Sequence, residues 1–280
     1  MSRYINPYTD FGFKKLFGEE ASKDLLIDFL NTLLPKKHLV KTLSFRNPEQ
    51  LGTVASDRRA VFDVYCENAK EEQFIVEMQK AEQGYFKDRS IYYASHPIRE
   101  QGWRGRHDGK NWDFELKTIY FIGILDFVYD KDDTNPVLIR EVSLKDQHGK
   151  EFYDKLQFIY IQMPVFNLKE SELVTRRDKW LYFLKHLPNL NDIPSIMKEK
   201  VFQKAFQKAE FASMPKKERE RYEQDLHDHW TYLASLKTAE DKGKTKKAIE
   251  IARNLKEKGL DITLIAEMTG LPTEEMERLK

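Results

Sequence analysis

From near Leu168 the hydrophobic pattern of this chain becomes helical throughout, and that change restricts the fold more than any other feature. Upstream of it, short runs alternate with the period of two that lets a strand bury one face. Strands are predicted over 39–45, 60–66, 73–78, 118–126, 137–144 and 156–162, with polar turns over 67–72, 130–136 and 146–150. Two helical stretches interrupt them. One carries Phe13, Leu16, Phe17, Leu25, Leu26, Phe29, Leu30, Leu33 and Leu34, with Thr9 or Asp10 as its cap and Pro35 as its stop. The other covers 86–98 and is ended by Pro97, ahead of a glycine-rich basic loop, Gln101-Gly102-Trp103-Arg104-Gly105-Arg106-His107. Downstream of Leu168, Trp180, Leu181, Phe183, Leu184 and Leu187, then Val201, Phe202, Ala205, Phe206 and Ala209, recur at helical spacing, as does 222–236. The expected fold class is α/β, a layered domain over 1–167, followed by an all-α helical region over 168–237. The charged segment 238–247, with Gly243, reads as a hinge or solvated helix that opens a small helical tail over 238–280.

A chain of 280 residues with 40% hydrophobic content buries a substantial core. Its formal net charge is only +1, so any nucleic acid has to be held by local basic patches rather than by a global field. The one cysteine, Cys66, excludes an internal disulfide and a thiolate metal cluster. Apolar runs such as 119–125 fall far short of the roughly 20 residues that cross a bilayer, and residues 1–30 lack the layout of a signal peptide. A cytoplasmic protein without membrane attachment is expected.

Chemistry concentrates between Asp63 and Gln79. Strand alternation sends Phe74, Val76 and Met78 to one face and Ile75, Glu77 and Gln79 to the other. A turn symmetric about Lys70 places Asp63 across from Glu77, with β-carbons roughly 4.5–5.5 Å apart. Two carboxylates so close repel each other, and a bound cation removes the conflict. Oxygen donors with no paired His or Cys favour Mg²⁺ or Mn²⁺ over zinc. The alternative is a solvent-facing pair of acids with no role.

At these residues the chain resembles the PD-(D/E)xK nuclease superfamily, through Val61-Phe62-Asp63 and Glu77-Met78-Gln79. It is most similar to the bacterial branch of nuclease-family transposases, or recombination-promoting nucleases. That likeness rests on Thr9-Asp10-Phe11-Gly12-Phe13-Lys14-Lys15-Leu16-Phe17-Gly18, on Phe86-Lys87-Asp88-Arg89-Ser90-Ile91-Tyr92-Tyr93-Ala94 and on Tyr120-Phe121-Ile122-Gly123-Ile124-Leu125-Asp126-Phe127. The resemblance implies a restriction-endonuclease-like core, a mixed sheet flanked by helices, and a Mg²⁺-dependent DNA endonuclease that promotes recombination or transposition. It implies Mg²⁺ (or Mn²⁺) held by Asp63, Glu77 and the Met78 carbonyl, with Gln79 orienting water. Asp10 is either a further acid of the site or an N-cap; Arg89 is either a phosphate contact or a surface ion pair. Two departures stand out: Phe62 replaces the proline before the aspartate, and Gln79 replaces the lysine of the Glu-x-Lys triplet. An amide can only hydrogen-bond, so a positive charge would have to come from Lys14, Lys87 or Arg89. The competing reading is a nuclease fold that has lost turnover and serves as a DNA-binding or partner-binding module.

Arg104 and Arg106 beside Trp103 form a possible phosphate-tracking loop, or a merely solvated one. The last 33 residues have a helix-turn-helix cadence, yet the final helix, Thr273-Glu274-Glu275-Met276-Glu277-Arg278-Leu279-Lys280, carries three acids against two bases. A recognition helix faces phosphates, so packing or homo-oligomerisation through these C-terminal helices is the expected role.

Overall fold

The computed structural model describes residues 2–50, 60–81, 84–107, 114–130 and 132–278; for 49, 50, 60, 103–107 and 275–277 it describes the backbone alone. Two compact units divide the chain, Met1–Tyr222 and Glu223–Lys280.

The first unit opens with α1 (Asp10–Phe17) and α2 (Lys23–Asn31), where one helical run was expected. Gly18 separates them, its N–H turning back onto the Lys14 carbonyl at 2.7 Å. Strands β1 (Leu43–Phe45), β2 (Glu49–Gln50), β3 (Ala60–Val61), β4 (Val64–Asn68) and β5 (Gln73–Gln79) follow, then α3 (Phe86–His107), β6 (Ile119–Leu125), β7 (Ile139–Lys145) and β8 (Glu151–Gln162). The main sheet has the order β1-β4-β5-β6-β8-β7. Its centre, β5-β6-β8, is parallel, and its two edges are antiparallel. The mixed sheet flanked by helices is the α/β fold class expected.

Three sequence expectations need correction. The run 60–66 is not one strand: β3 pairs with β2 in a separate ribbon, and the chain rejoins the main sheet only at Val64. The amide of Phe62 goes to the Pro48 carbonyl, and that of Asp63 to a carboxylate, so neither is available to a continuous ladder. Pro97 does not stop α3. It is buried in the helix interior, where packing of Tyr93, Ala94 and His96 outweighs the one lost backbone hydrogen bond. In consequence, 101–107 is the last part of that helix rather than a loop.

Helices cover the rest: α4 (Arg176–His186), α5 (Lys200–Ala209), α6 (Lys216–Glu257), α7 (Ile262–Thr269) and α8 (Thr273–Arg278). The segment 238–247 is an exposed stretch of the continuous α6, the solvated helix of the two alternatives. Trp180 and Phe183 of α4 meet Phe17, Phe29, Phe202 and Phe206 with ring centroids 4.9–6.0 Å apart. All are buried, each contributing roughly 1.5–3 kcal/mol by transfer from water. This aromatic core fixes α1 against α2, α4 and α5.

On the sheet face that carries Glu77, α3 covers Phe62, Tyr65, Ile75, Phe121, Leu125, Phe158 and Tyr160. The second unit has its own small core, Ala252 and Ile265 with Leu255, Leu260, Ile262, Ala266 and Leu271. Its turns use left-handed Gly259 and Gly270, and Asp261 caps α7 by accepting from the amides of Thr263 and Leu264. No helix among the described residues is long and apolar enough to cross a membrane.

Candidate active site

Three segments converge at the C-terminal end of β5. The β4–β5 register pairs Val64 with Val76 and Glu67 with Gln73, the hairpin centred on Lys70 that the sequence predicts. One step further, Asp63 leaves the ladder opposite Glu77. The Asp63 amide donates to Oε1 of Glu77 at 3.1 Å, and the Met78 amide donates to Oδ2 of Asp63 at 2.8 Å. Gln79, next on the same face, donates Nε2–H to Oε2 of Glu77 at 2.9 Å. Glu77 is 2% exposed and Gln79 8%.

Burial and mutual repulsion set the electrostatics. Burial, first, and then the Asp63 charge raise Glu77 well above the ordinary carboxylate range, against the opposing pull of the Asp63 amide, Arg89 and Gln79. Asp63 is pushed up to about 6, chiefly by burial, with Asp10 adding to the rise and the Met78 amide and Lys14 opposing it. These are acids that a hard cation would relieve.

Asp10 acts on this pair from α1. The N-cap of α1 is Thr9, whose hydroxyl accepts from the Gly12 amide at 3.0 Å, so capping does not account for Asp10. Asp10 stands in the first turn, half-exposed and bonded by Lys14 Nζ at 2.9 Å, and its charge adds to the rise at Asp63. Gly12 makes this possible: a β-carbon there would lie 2.1 Å from the Asn6 carbonyl oxygen, so only glycine lets α1 start so close to the preceding turn. Gly123 plays a similar part on the sheet. It pairs with Glu77 on one side and Tyr160 on the other, and the Tyr160 ring lies over the space its side chain would fill.

The cations divide. Lys14 acts on Asp63 and Arg89 on Glu77, while Lys87 sits 4.8 Å from the Tyr129 ring centroid. Arg89 donates Nη2–H to the Tyr93 hydroxyl at 2.9 Å, one helical turn on. Tyr93 thus orients Arg89, and the i, i+4 spacing is the sequence signal for it. The side chains of Arg104 and Arg106 lie outside the described residues.

Among the described residues no three His, Cys, Asp or Glu side chains gather as a ready metal cage. The donor set still fits a hard divalent ion: two adjacent carboxylates, Glu77 buried and Asp63 half-buried, oxygen only, as suits a cation that keeps much of its water. Such an ion would be held by Asp63 and Glu77.

Residues 7–239 match the model of the PD-(D/E)XK nuclease family transposases. The chain belongs to that family. Residues 245–280 match a second model, the C-terminal HTH domain of the Rpn/YhgA-like nuclease family, which covers the tail of α6 with α7 and α8. No curated protein and no solved structure matches the chain. In a nuclease family the end of β5 acquires a meaning that hydrogen bonds alone do not give it, and the HTH match adds a DNA-binding type of module to the same chain. Members of the family generally use divalent metals.

Proposed function

We propose that this family member is a Mg²⁺-dependent DNA endonuclease that cuts phosphodiester bonds and thereby promotes recombination or transposition. The observation that carries the reading is the Asp63–Glu77 pair, a half-buried and a buried acid at the carboxyl end of a parallel strand, clamped together by backbone amides. Asp63, Glu77 and the Met78 carbonyl would hold Mg²⁺ (or Mn²⁺), which when bound polarises a phosphate oxygen and acidifies water. Gln79, tied to Glu77, is placed to orient water rather than to deprotonate it. Asp10 is a further acid of the site. Arg89 and Lys14 face the acids with the charge that a phosphate needs once the acids are neutralised, and Arg104 and Arg106 are proposed as further phosphate contacts.

The division of labour we propose is a nuclease domain over 1–167, helices over 168–237 that extend it, and a tail over 238–280 that serves DNA contact or homo-oligomerisation. Action on DNA also fits a cytoplasmic location. Supercoiled plasmid digested with and without Mg²⁺ by the wild type, Asp63→Ala and Glu77→Ala tests the site. Metal-dependent nicking lost in both variants is expected; persistent cutting by both would sink the assignment, and no cutting by any form would favour a binding module.

A further inference from the structure

Helix α3 packs one side on the sheet, and two tyrosines, Tyr92 on the helix and Tyr85 just before it, stand exposed on the edge that carries Arg89. Phe86, Ser90, Tyr93 and Ala94 are buried, while Tyr85, Ile91 and Tyr92 are 85%, 61% and 41% exposed. Tyr85 is unfavourable on two counts: its ring stands in water, and its φ of 65° is left-handed, a conformation disfavoured for any residue with a β-carbon. The fold does not require a tyrosine there, since the carbonyl that accepts the Arg89 amide at 2.9 Å could come from any residue. Glycine would be the natural occupant.

The helix fixes the relation of this patch to the site. Tyr85 immediately precedes α3, Arg89 lies one turn on, and Tyr92 roughly 10 Å beyond Tyr85 along the axis. Arg89 is the cation whose charge reaches Glu77. The Tyr85 ring and the Tyr92 ring, the latter edge-to-face with His96 at 4.9 Å, therefore flank the phosphate-seeking group of the site.

We infer that Tyr85 and Tyr92 each stack on an unpaired base while Arg89 takes the phosphate between them, so that the preferred substrate is DNA with unpaired nucleotides at the cut, as in a bubble, gap or flap. This rests on the nuclease reading above. In a continuous duplex each base is covered on both faces by its neighbours, and an exposed ring finds no surface; an unpaired base offers one. A protein partner is a poorer occupant. Three side chains are far less than the roughly 1,000 Å² that a specific protein interface needs, whereas the cations match a polyanion.

The test uses the full-length protein and two duplexes of one sequence, one fully paired and one with a short bubble carrying 2-aminopurine. Binding is read by fluorescence in chelator, then cleavage in Mg²⁺. Quenching on the bubble is expected, and Tyr85→Ala and Tyr92→Ala should each weaken bubble binding about 10- to 100-fold, the range for losing one base stack, without changing affinity for the paired duplex. Tyr85→Phe should behave as wild type. Tyr85→Gly should raise the melting temperature, by relieving the left-handed strain, while losing bubble binding as Tyr85→Ala does. Equal affinity for both duplexes, or no effect of Tyr85→Ala, overturns the inference. Stronger Tyr85-dependent binding of the equivalent RNA overturns the choice of DNA. Cutting of both duplexes regardless of the tyrosines removes the stacking stripe and leaves the nuclease; tyrosine-dependent quenching without cutting by any form does the reverse.

Discussion

Asp63 and Glu77 hold each other through the backbone: the Asp63 amide donates to the Glu77 carboxylate, and the Asp63 carboxylate accepts from the amide of the residue after Glu77. Each acid thus positions the other's strand. Two like charges are kept adjacent by amides that leave the β-ladder to do so, an arrangement that costs stability unless something positive or a proton completes it.

The isosteric pair Asp63→Asn and Glu77→Gln should separate function from fold. Removing either charge should lower plasmid nicking at least about 100-fold, the scale of losing a group that stabilises transition-state charge. The metal-free melting temperature should stay level or rise, since a buried repulsion is removed. Parallel nicking and thermal-shift measurements check this; a large drop in melting temperature together with activity would mark the acids as structural.

The metal-free protein should lose stability as pH rises. Both acids have raised folded-state pKa values, so the folded form keeps protons that the unfolded form has released, and stability falls from the unfolded carboxylate range near about 4 through the folded values, about 6 for Asp63. Mg²⁺ competes with those protons. Its stabilisation should therefore be larger at about pH 8 than at about pH 5. Melting curves over pH with and without Mg²⁺ decide it, and an equal shift at both ends would contradict the reading.

Gln79→Lys restores the family triplet. The ammonium would meet Glu77, which now accepts from the Gln79 amide, and should flatten the pH dependence of metal-free stability. Cleavage should stay within about tenfold of wild type or increase. A larger loss in single-turnover assays would show that this site needs the amide.

Gly12→Ala should be among the most damaging small changes. Its β-carbon has to displace the Asn6 carbonyl or the start of α1, and with it the Thr9 cap and Asp10. A cost of about 3 kcal/mol or more is expected, the upper end for overpacking, read as a lower urea midpoint. Nicking should fall even in the folded fraction, because Asp10 moves relative to Asp63.

Much of this was legible in the residues. Alternation fixed which side chains share a face with Glu77, and a turn centred on Lys70 fixed the register, because side chains on a strand repeat every two residues and a slip would turn the whole apolar set outward. Helical spacing located α4 and α5 with their buried Trp180, Phe183, Phe202 and Phe206. What alternation could not reveal is the break at Asp63, because it depends on a carboxylate fourteen residues away capturing an amide. Pro97 likewise reads as a helix stop until the sheet beneath α3 outweighs it. Nor could spacing choose between Thr9 and Asp10 as the cap of α1; the Asn6 turn and Gly12 settled that, and left the Asp10 charge to act on Asp63. Local period and turn chemistry are properties of neighbouring residues and are written in the sequence, whereas the meeting of α1, β5 and α3 around two adjacent acids is a contest among distant contacts that only the packed chain decides.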